Sequence, residues 1–360
     1  MEKIKNNKSI QLGDRIVTPN SKPYIIAEIG VNHEGSIDKA YELIDLAKEG
    51  GADAAKFQSY KAKTLASKKS PSYWDLKKES TKSQYELFKK YDSFNSEDFI
   101  KLSRYCNKIN IDFISTPFDD ESIDFLDPIM SFYKIASADL TNVPLLRKVA
   151  SKNKPIVLST GASSIDEIDK AIGVLNNQGS KDIALLHCIL NYPTKDSNAN
   201  LNMIKSLITH YPDYIIGYSD HTLPDNNMTS LITSFLLGAV VIEKHFTYDK
   251  NLPGNDHYHA MDVDDLKCFV KLLNKIHNTI GVKSIKEPIE TEQISRLNAR
   301  RSIVLKHKIF KGHVLTYEDL TYKRPGTGIS TLYWDSVIGK KINIDLDEDH
   351  ILQWEDISDD

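Results

Sequence analysis

Cysteine is scarce in this chain: Cys106, Cys188 and Cys268 are far apart and odd in number. Neither a disulfide framework nor a thiolate metal centre can be built from them, and their use fits a reducing cytoplasm. Long apolar runs are also missing. No stretch reaches the ~18 apolar residues that a membrane-spanning helix needs. The first residues, MEKIKNNKSIQLGDR, lack the apolar core of a secretory signal. Nor does one sign of charge dominate. The formal net charge is −4 and the basic residues are spread out, so charge argues for neither nucleic acid nor a membrane surface as a partner. The acidic end, 345–360, reads as a solvated tail. A Walker-type glycine loop is absent, since Gly281-Val282-Lys283-Ser284 lacks the required spacing before it, and a nucleotide is not expected. No period of solenoid length recurs.

What is present is ordinary in amount and regular in order. A hydrophobic fraction of 40% with 27% charged residues is that of a soluble globular protein. The length of 360 residues suits a barrel of about 250 residues with an appendage. Short apolar runs fall at 24–29, 54–57, 112–115, 133–135, 155–159, 183–187, 214–218 and 240–243. Amphipathic segments alternate with them, among them 38–49, 96–109, 165–177, 200–210 and 227–237, with 262–280 as the last helix. Eight strands with intervening helices imply parallel βαβ units closing into a (β/α)8 TIM barrel, an α/β fold. One long irregular stretch, 60–94, is rich in Lys, Ser and Tyr and reads as functional or as a lid. Its Tyr73, Trp74, Tyr85 and Phe88 read first as packing on the barrel rim and second as a cover.

The chemistry gathers at the C-terminal ends of the runs. These ends carry Glu28, Lys56 and Gln58, Ser115 and Thr116, Lys134 and Ser137, Ser159 and Thr160, and His187. Ser219 with His221, and Glu243 with His245, complete the set. Each group can bind an anion, move a proton or ligate a metal, and barrels of this kind build their sites at that face. Polar residues that merely mark strand exits would account for three or four of them. They would not account for two lysines inside apolar runs, where an unpaired ammonium is costly to bury. A histidine at one strand end most simply satisfies a hydrogen bond; at two successive ends, His221 and His245 read together as a metal pair.

Lys56 and Lys134 supply charge, and Thr116, Ser137, Ser159 and Ser219 supply hydroxyls, a set suited to a small multiply anionic ligand. Two imidazoles with carboxylates and water suit an ion of the Mn, Zn or Fe type more than Mg, with open positions for substrate. His257 and His259 have a spacing that would put both on one face of a strand as a second metal pair, although nothing nearby completes the set. Asn32 and His33 are equally suited to packing and to substrate contact. Cys188 reads as a small hydrophobe.

Several motifs resemble those of the sialic acid (nonulosonic acid) synthases. They are Glu28-Ile29-Gly30-Val31-Asn32-His33-Glu34-Gly35, Lys56-Phe57-Gln58, Ile114-Ser115-Thr116-Pro117-Phe118, Leu158-Ser159-Thr160-Gly161 and Leu186-His187-Cys188. Gly217-Tyr218-Ser219-Asp220-His221-Thr222 and Glu243-Lys244-His245-Phe246-Thr247 follow in the family's order. Lys323-Arg324-Pro325-Gly326-Thr327-Gly328 is similar to the signature of that family's antifreeze-like (SAF) domain. The resemblance spans about 16–355. It implies a barrel with an N-terminal extension over 1–280, a linker at 281–297 and a small β-rich SAF domain over 298–360.

The resemblance also implies a reaction. Phosphoenolpyruvate condenses with an N-acetylmannosamine-type sugar to a nine-carbon keto acid and phosphate, so the chain is expected to be a transferase, an N-acetylneuraminate synthase as first choice. Legionaminic or pseudaminic acid synthesis from a diacetamido-trideoxy hexose is the alternative. Lys56, Thr116, Lys134, Ser137, Ser159 and Ser219 are implied to hold phosphoenolpyruvate. Glu28 handles a proton, and Gln58, Tyr192 and Asp256 face the sugar. His221 and His245 are implied as catalytic metal ligands, for Mn²⁺ first and Mg²⁺ or Co²⁺ otherwise. Arg324 is implied to reach the sugar's acyl group from a neighbouring subunit, which requires a domain-swapped homodimer. One departure stands out: Leu190 lies where the family often has an asparagine on phosphate, and Asn191 follows one residue later. Residues alone leave open a metal aldolase or hydrolase, a Schiff-base aldolase using Lys134 or Lys56, and a binding protein with an inert barrel.

Overall fold

The computed structural model describes residues 8–359 except 75, 78 and 255. Two compact units divide the chain, Met1–Gly281 and Val282–Asp360.

The first unit opens with an antiparallel hairpin of β1 (Ile10–Leu12) and β2 (Arg15–Val17). Gly13 turns it at φ +54°, and any side chain there would run into the Asp112 carboxylate. Eight parallel strands follow: β3 (Tyr24–Gly30), β4 (Ala54–Ser59), β5 (Asp112–Pro117), β6 (Tyr133–Ile135), β7 (Ile156–Ser159), β8 (Ile183–Cys188), β9 (Ile215–Asp220) and β10 (Val241–His245). Hydrogen bonding runs β5-β4-β3-β10-β9-β8-β7-β6, with β5 and β6 side by side at the seam of a nearly closed ring. The expected (β/α)8 barrel is therefore present, with each apolar run at its strand.

Every one of these strands is buried almost throughout, because helices cover the outside of the ring. Helix starts are set by short polar side chains. Ser36 caps Ile37–Gly50, while Asn95, Ser164 and Asp262 form reciprocal capping boxes for Ser96–Ile109, Ile165–Asn177 and Val263–Ile280. The N-terminal floor of the barrel is tied by Arg15 to Asp53 at 2.6 Å, by the Ile25 N–H to Asp53 at 2.8 Å, and by the Tyr24 hydroxyl to Asp112. Inside the ring, β9 and its neighbours pass so closely that a Cβ at Gly217 would lie 2.3 Å from both the Leu186 side chain and the Val241 carbonyl.

The long stretch 60–94 is not structureless. It folds into two short helices, Ala62–Leu65 and Gln84–Tyr91, the second capped by Ser83. The indole N–H of Trp74 donates to the Glu79 carbonyl at 3.2 Å, so Trp74 packs this segment together.

The second unit pairs β11 (Ser302–Leu305) with β12 (Leu320–Lys323) and β13 (Lys341–Ile342) with β14 (Ile357–Ser358), both antiparallel. Its separate core contains Ile303, Leu305, Leu315, Val337 and Leu352. Asp319 is buried there and accepts from His307 at 3.0 Å and His313 at 2.9 Å. Among the described residues, no helix is long and apolar enough to cross a membrane.

Candidate functional site

A cavity of about 600 Å³ opens at the C-terminal ends of the barrel strands. Alternation along each strand decides which polar residues reach it. Glu28, Lys56, Gln58, Thr116, Lys134, Ser137, Ser159, Ser219, His221, Glu243 and His245 line it, as do Tyr192 and Asp256 from the loops. The barrel residues that the resemblance assigns to phosphoenolpyruvate, to the sugar and to the His221–His245 metal pair thus line one chamber. Arg324 is an exposed residue of the second unit.

Three strand-end residues face elsewhere. The Ser115 hydroxyl meets Ser59 at 2.6 Å, and Thr160 donates to the Leu186 carbonyl at 2.9 Å. His187 bonds the Ala199 carbonyl at 2.8 Å and stacks on Tyr218. Each sits one step out of phase with an inward neighbour, so the pleat turns it to the helices. His33 stacks on Phe94 and packs the loop, whereas Asn32 donates to the Phe246 carbonyl and also lines the chamber. Leu190 lines the cavity, whereas Asn191 is exposed and its carbonyl accepts from Thr194. The one-residue offset in that loop takes the amide away from the chamber.

At the inner end two lysines are almost fully buried and bracket a carboxylate. Lys56 is 2.7 Å from Glu28 and 3.6 Å from Glu243, and it donates to Thr116 at 3.0 Å. Lys134 lies 3.4 Å from Glu243 and donates to Ser159 at 2.8 Å. Ser219 donates to Glu243 at 2.9 Å, and Gln58 to Glu28 at 2.8 Å. Register fixes this grouping: Glu28 is level with Lys56 on one side and with His245 on the other, and Glu243 is level with Ser219.

These neighbours pull the carboxyls apart in acidity. Burial raises the Glu28 carboxyl, and the charge of Glu243 adds to it, against the attraction of Lys56. Burial would raise Glu243 as well, but Lys134 and Lys56 overcome it and hold Glu243 at about 2. Lys134 is lowered by its burial, while in Lys56 the same burial is outweighed by Glu243 and Glu28, which raise it. One carboxyl is thus poised to exchange a proton and the other is a fixed anion. Glu243 was read from sequence only as a strand-end carboxylate; its place between two lysines follows from register and could not be seen in spacing.

At the outer end stand the imidazoles. His221 and His245 have ring centroids 5.5 Å apart, and Tyr192 packs on His221 at 4.2 Å. His221 donates through Nδ1 to the Ile189 carbonyl at 2.8 Å, which leaves its Nε2 lone pair free. The pair His257 and His259 does not lie on a strand and does not act together. His257 turns to the Thr247 hydroxyl at 2.8 Å, while the His259 ring comes to 4.8 Å from that of His245. Burial keeps both His245 and His259 neutral, the second at about 3.

The residues fit a divalent ion. Nδ1 of His245 and Nε2 of His259 are buried without a hydrogen-bond partner among the described residues. His245, His259 and Asp256 each offer one ligand atom, a ring nitrogen or a carboxylate oxygen, and these atoms all lie within 4.8 Å of one another. Neutral imidazoles beside a carboxylate are a divalent-metal donor set.

The outer wall is apolar and aromatic, with Tyr60, Leu65, Tyr73, Leu87, Phe88, Tyr91 and Phe118. Tyr73 and Phe88, read from sequence first as rim packing, do line the chamber; Trp74 and Tyr85 do not.

The NeuB family model matches residues 43–285 and the SAF domain model residues 300–358. An uncharacterized protein of Methanocaldococcus jannaschii is 44% identical over 99% of each chain. The N,N'-diacetyllegionaminic acid synthase of Legionella pneumophila is 39% identical, over 93% of this chain and 94% of its own. Among solved structures, the N-acetylneuraminic acid (sialic acid) synthetase of Leptospira borgpetersenii is 32% identical with a TM-score of 0.71, over 80% of this chain and 95% of that one.

Proposed function

The chain belongs to the NeuB family of nonulosonic acid synthases, with a SAF domain in its C-terminal part, and on that premise we propose that it condenses phosphoenolpyruvate with an N-acylated hexosamine to give a nine-carbon keto acid and phosphate. The observation that carries this reading is the pair of buried lysines, Lys56 and Lys134, each joined to a hydroxyl at the closed end of the cavity. Buried ammonium groups need anions. Glu28 and Glu243 supply part of that need, and a phosphate and a carboxylate on one small molecule supply the rest.

In this reading Lys56, Lys134, Thr116, Ser137, Ser159 and Ser219 hold phosphoenolpyruvate, and Gln58, Tyr192 and Asp256 orient the sugar above it. A carbon–carbon bond forms between the methylene carbon and the sugar's carbonyl carbon. Water adds at the middle carbon, and the carbon–oxygen bond to phosphate breaks. Glu28, raised by burial and held by Lys56 and Gln58, moves the proton. His221 and His245 would hold a divalent ion, Mn²⁺ as first choice, which when bound would supply Lewis-acid polarisation of the sugar carbonyl. Holding two small reactants in register lowers the barrier further, by roughly 7–11 kcal/mol at most. Arg324 serves the acyl group in a domain-swapped homodimer, and the unbridged cysteines suit a cytoplasmic enzyme. We set the domain limits at 1–280 for the barrel and 298–360 for the SAF domain, with 281–297 as the linker.

For the acceptor, the outer wall favours a diacetamido-trideoxy hexose over the N-acetylmannosamine that heads the expectations from sequence. None of Tyr60, Leu65, Tyr73, Leu87, Phe88, Tyr91 and Phe118 carries a cation for a phosphate ester, and such a wall suits methyl and acetyl groups. Identity of 39% to a diacetyllegionaminic acid synthase points the same way. The test is phosphate release, with product mass, across N-acetylmannosamine, its phosphate ester and diacetamido-trideoxy sugars. The diacetamido sugar should give the highest kcat/KM and the phosphate ester none. Turnover of the phosphate ester would overturn the acceptor, and release of phosphate without any sugar would overturn the reaction.

A further inference from the structure

His259 lies outside every strand, in the loop after β10, yet its ring is completely buried. Its Nδ1 meets the Asp256 carbonyl at 3.2 Å, so the proton sits there and the Nε2 lone pair points away from that bond. That Nε2 has no hydrogen-bond partner among the described residues, and neither has Nδ1 of His245. A core imidazole kept for packing would satisfy its second nitrogen or leave it in water; this one does neither. A ring nitrogen of each of these two histidines and an Asp256 oxygen lie within 4.8 Å of one another, the carboxylate 3.9 Å from His245 Nδ1. The His221 ring is 5.5 Å from that of His245 and 6.3 Å from that of His259. With metal–nitrogen bonds of about 2.0–2.1 Å, imidazoles sharing a tetrahedral ion have ring centres roughly 5 Å apart.

We propose that His259 is a third imidazole ligand of the divalent ion, acting with His245 and Asp256 and joined by His221. The inference rests on the reading of this chamber as a metal-dependent synthase site, but it concerns the grip and identity of the ion and not the sugar. Two histidines leave most of the coordination sphere to water and substrate. Three histidines with a carboxylate bind without substrate and shift selectivity from Mg²⁺ toward Co²⁺, Zn²⁺ or Fe²⁺. Substrate oxygen then enters as an added ligand on an ion the protein already holds.

The test uses the full chain, stripped with chelator and titrated with Co²⁺, Mn²⁺ and Zn²⁺ by calorimetry, with the visible absorption of Co²⁺ as a reading of coordination number. Wild type should give the intense bands of four- or five-coordinate Co²⁺ before any substrate is added. H259A and H259Q should weaken Co²⁺ binding at least about tenfold and move the spectrum toward the faint six-coordinate form. H257Q, at the ring turned to Thr247, should bind as wild type. The wild-type spectrum needs no variant, so it decides even where H259A folds poorly. Wild-type affinity and spectrum in folded H259A, with binding lost in H245A, would overturn the proposal and leave the two-histidine synthase intact. Binding that depends on His259 in a protein that never releases phosphate would sustain the proposal and sink the synthase. A wild type that binds none of these ions would overturn both.

Discussion

β9 and β10 carry two ionic clusters that lie one pleat apart. On the outward side Lys244 is 2.6 Å from Asp220 and donates to the Thr222 carbonyl at 2.7 Å. Asp220 also accepts from Tyr218, from the Thr222 N–H and hydroxyl, and from Ser230. Every charge there is met by the protein, and the loop carrying His221 is pinned as a result. On the inward side Glu243 Oε2, His245 Nδ1 and His259 Nε2 have no hydrogen-bond partner among the described residues. Both clusters are buried to a similar degree, so burial does not separate structure from chemistry. Completeness does: a network closed on itself holds a fold, and one left open awaits a ligand.

Lys244→Met is the strongest way to break the comparison. Removing one partner of a closed buried pair leaves Asp220 uncompensated and should cost about 3–5 kcal/mol in denaturant unfolding. The double variant K244M/D220L should lose less than the sum of the two single changes. A K244M protein as stable as wild type would mean the outward cluster is not structural.

Lys134→Met tests the opposite cluster. It removes a group aimed at substrate charge, so kcat/KM for phosphate release should fall by about 10²–10³. Glu243 keeps Lys56 and Ser219, so the unfolding midpoint should move less than in K244M.

Phe88→Ala trims the outer wall. The KM of the sugar should rise about tenfold, roughly the worth of one or two methylene contacts, while that of phosphoenolpyruvate stays unchanged. Equal rises in both would place the aromatic wall over the whole chamber.

Asp319 in the second unit gives a smaller and closed counterpart, with His307 and His313 on one carboxylate. Against the burial that would raise it, His313 and the Thr316 N–H and hydroxyl hold its carboxyl down, at about 2 against 3.8. A depressed folded pKa contributes stability above the unfolded value, and that contribution is lost as pH falls through about 2. Asp319→Asn should cost about 1–3 kcal/mol near neutrality, and thermal melts of the two proteins should converge between about pH 4 and pH 2.

The barrel was legible because each strand is buried on both faces and reads as an apolar run, with helices between at regular intervals. The chamber was legible because Glu28, Lys56, Lys134, His221 and His245 all end such runs. Orientation was harder. His187 and Ser115 look like the others in sequence, and only their phase on the strand turns them outward. Lys244 sits between Glu243 and His245, and nothing in the string of letters tells which of the three is the structural one. His259 was the hardest to place. It lies in an irregular loop with no period to read, and its approach to His245 depends on how 256–259 fold back over the mouth.

The most direct measurement is phosphate release by the chelated protein, given phosphoenolpyruvate and a diacetamido-trideoxy hexose separately and together, before and after Mn²⁺ is restored. The account predicts phosphate only with both substrates and the ion present, in step with a nine-carbon keto acid. Release from phosphoenolpyruvate alone, or the same rate with the ion withheld, would contradict it.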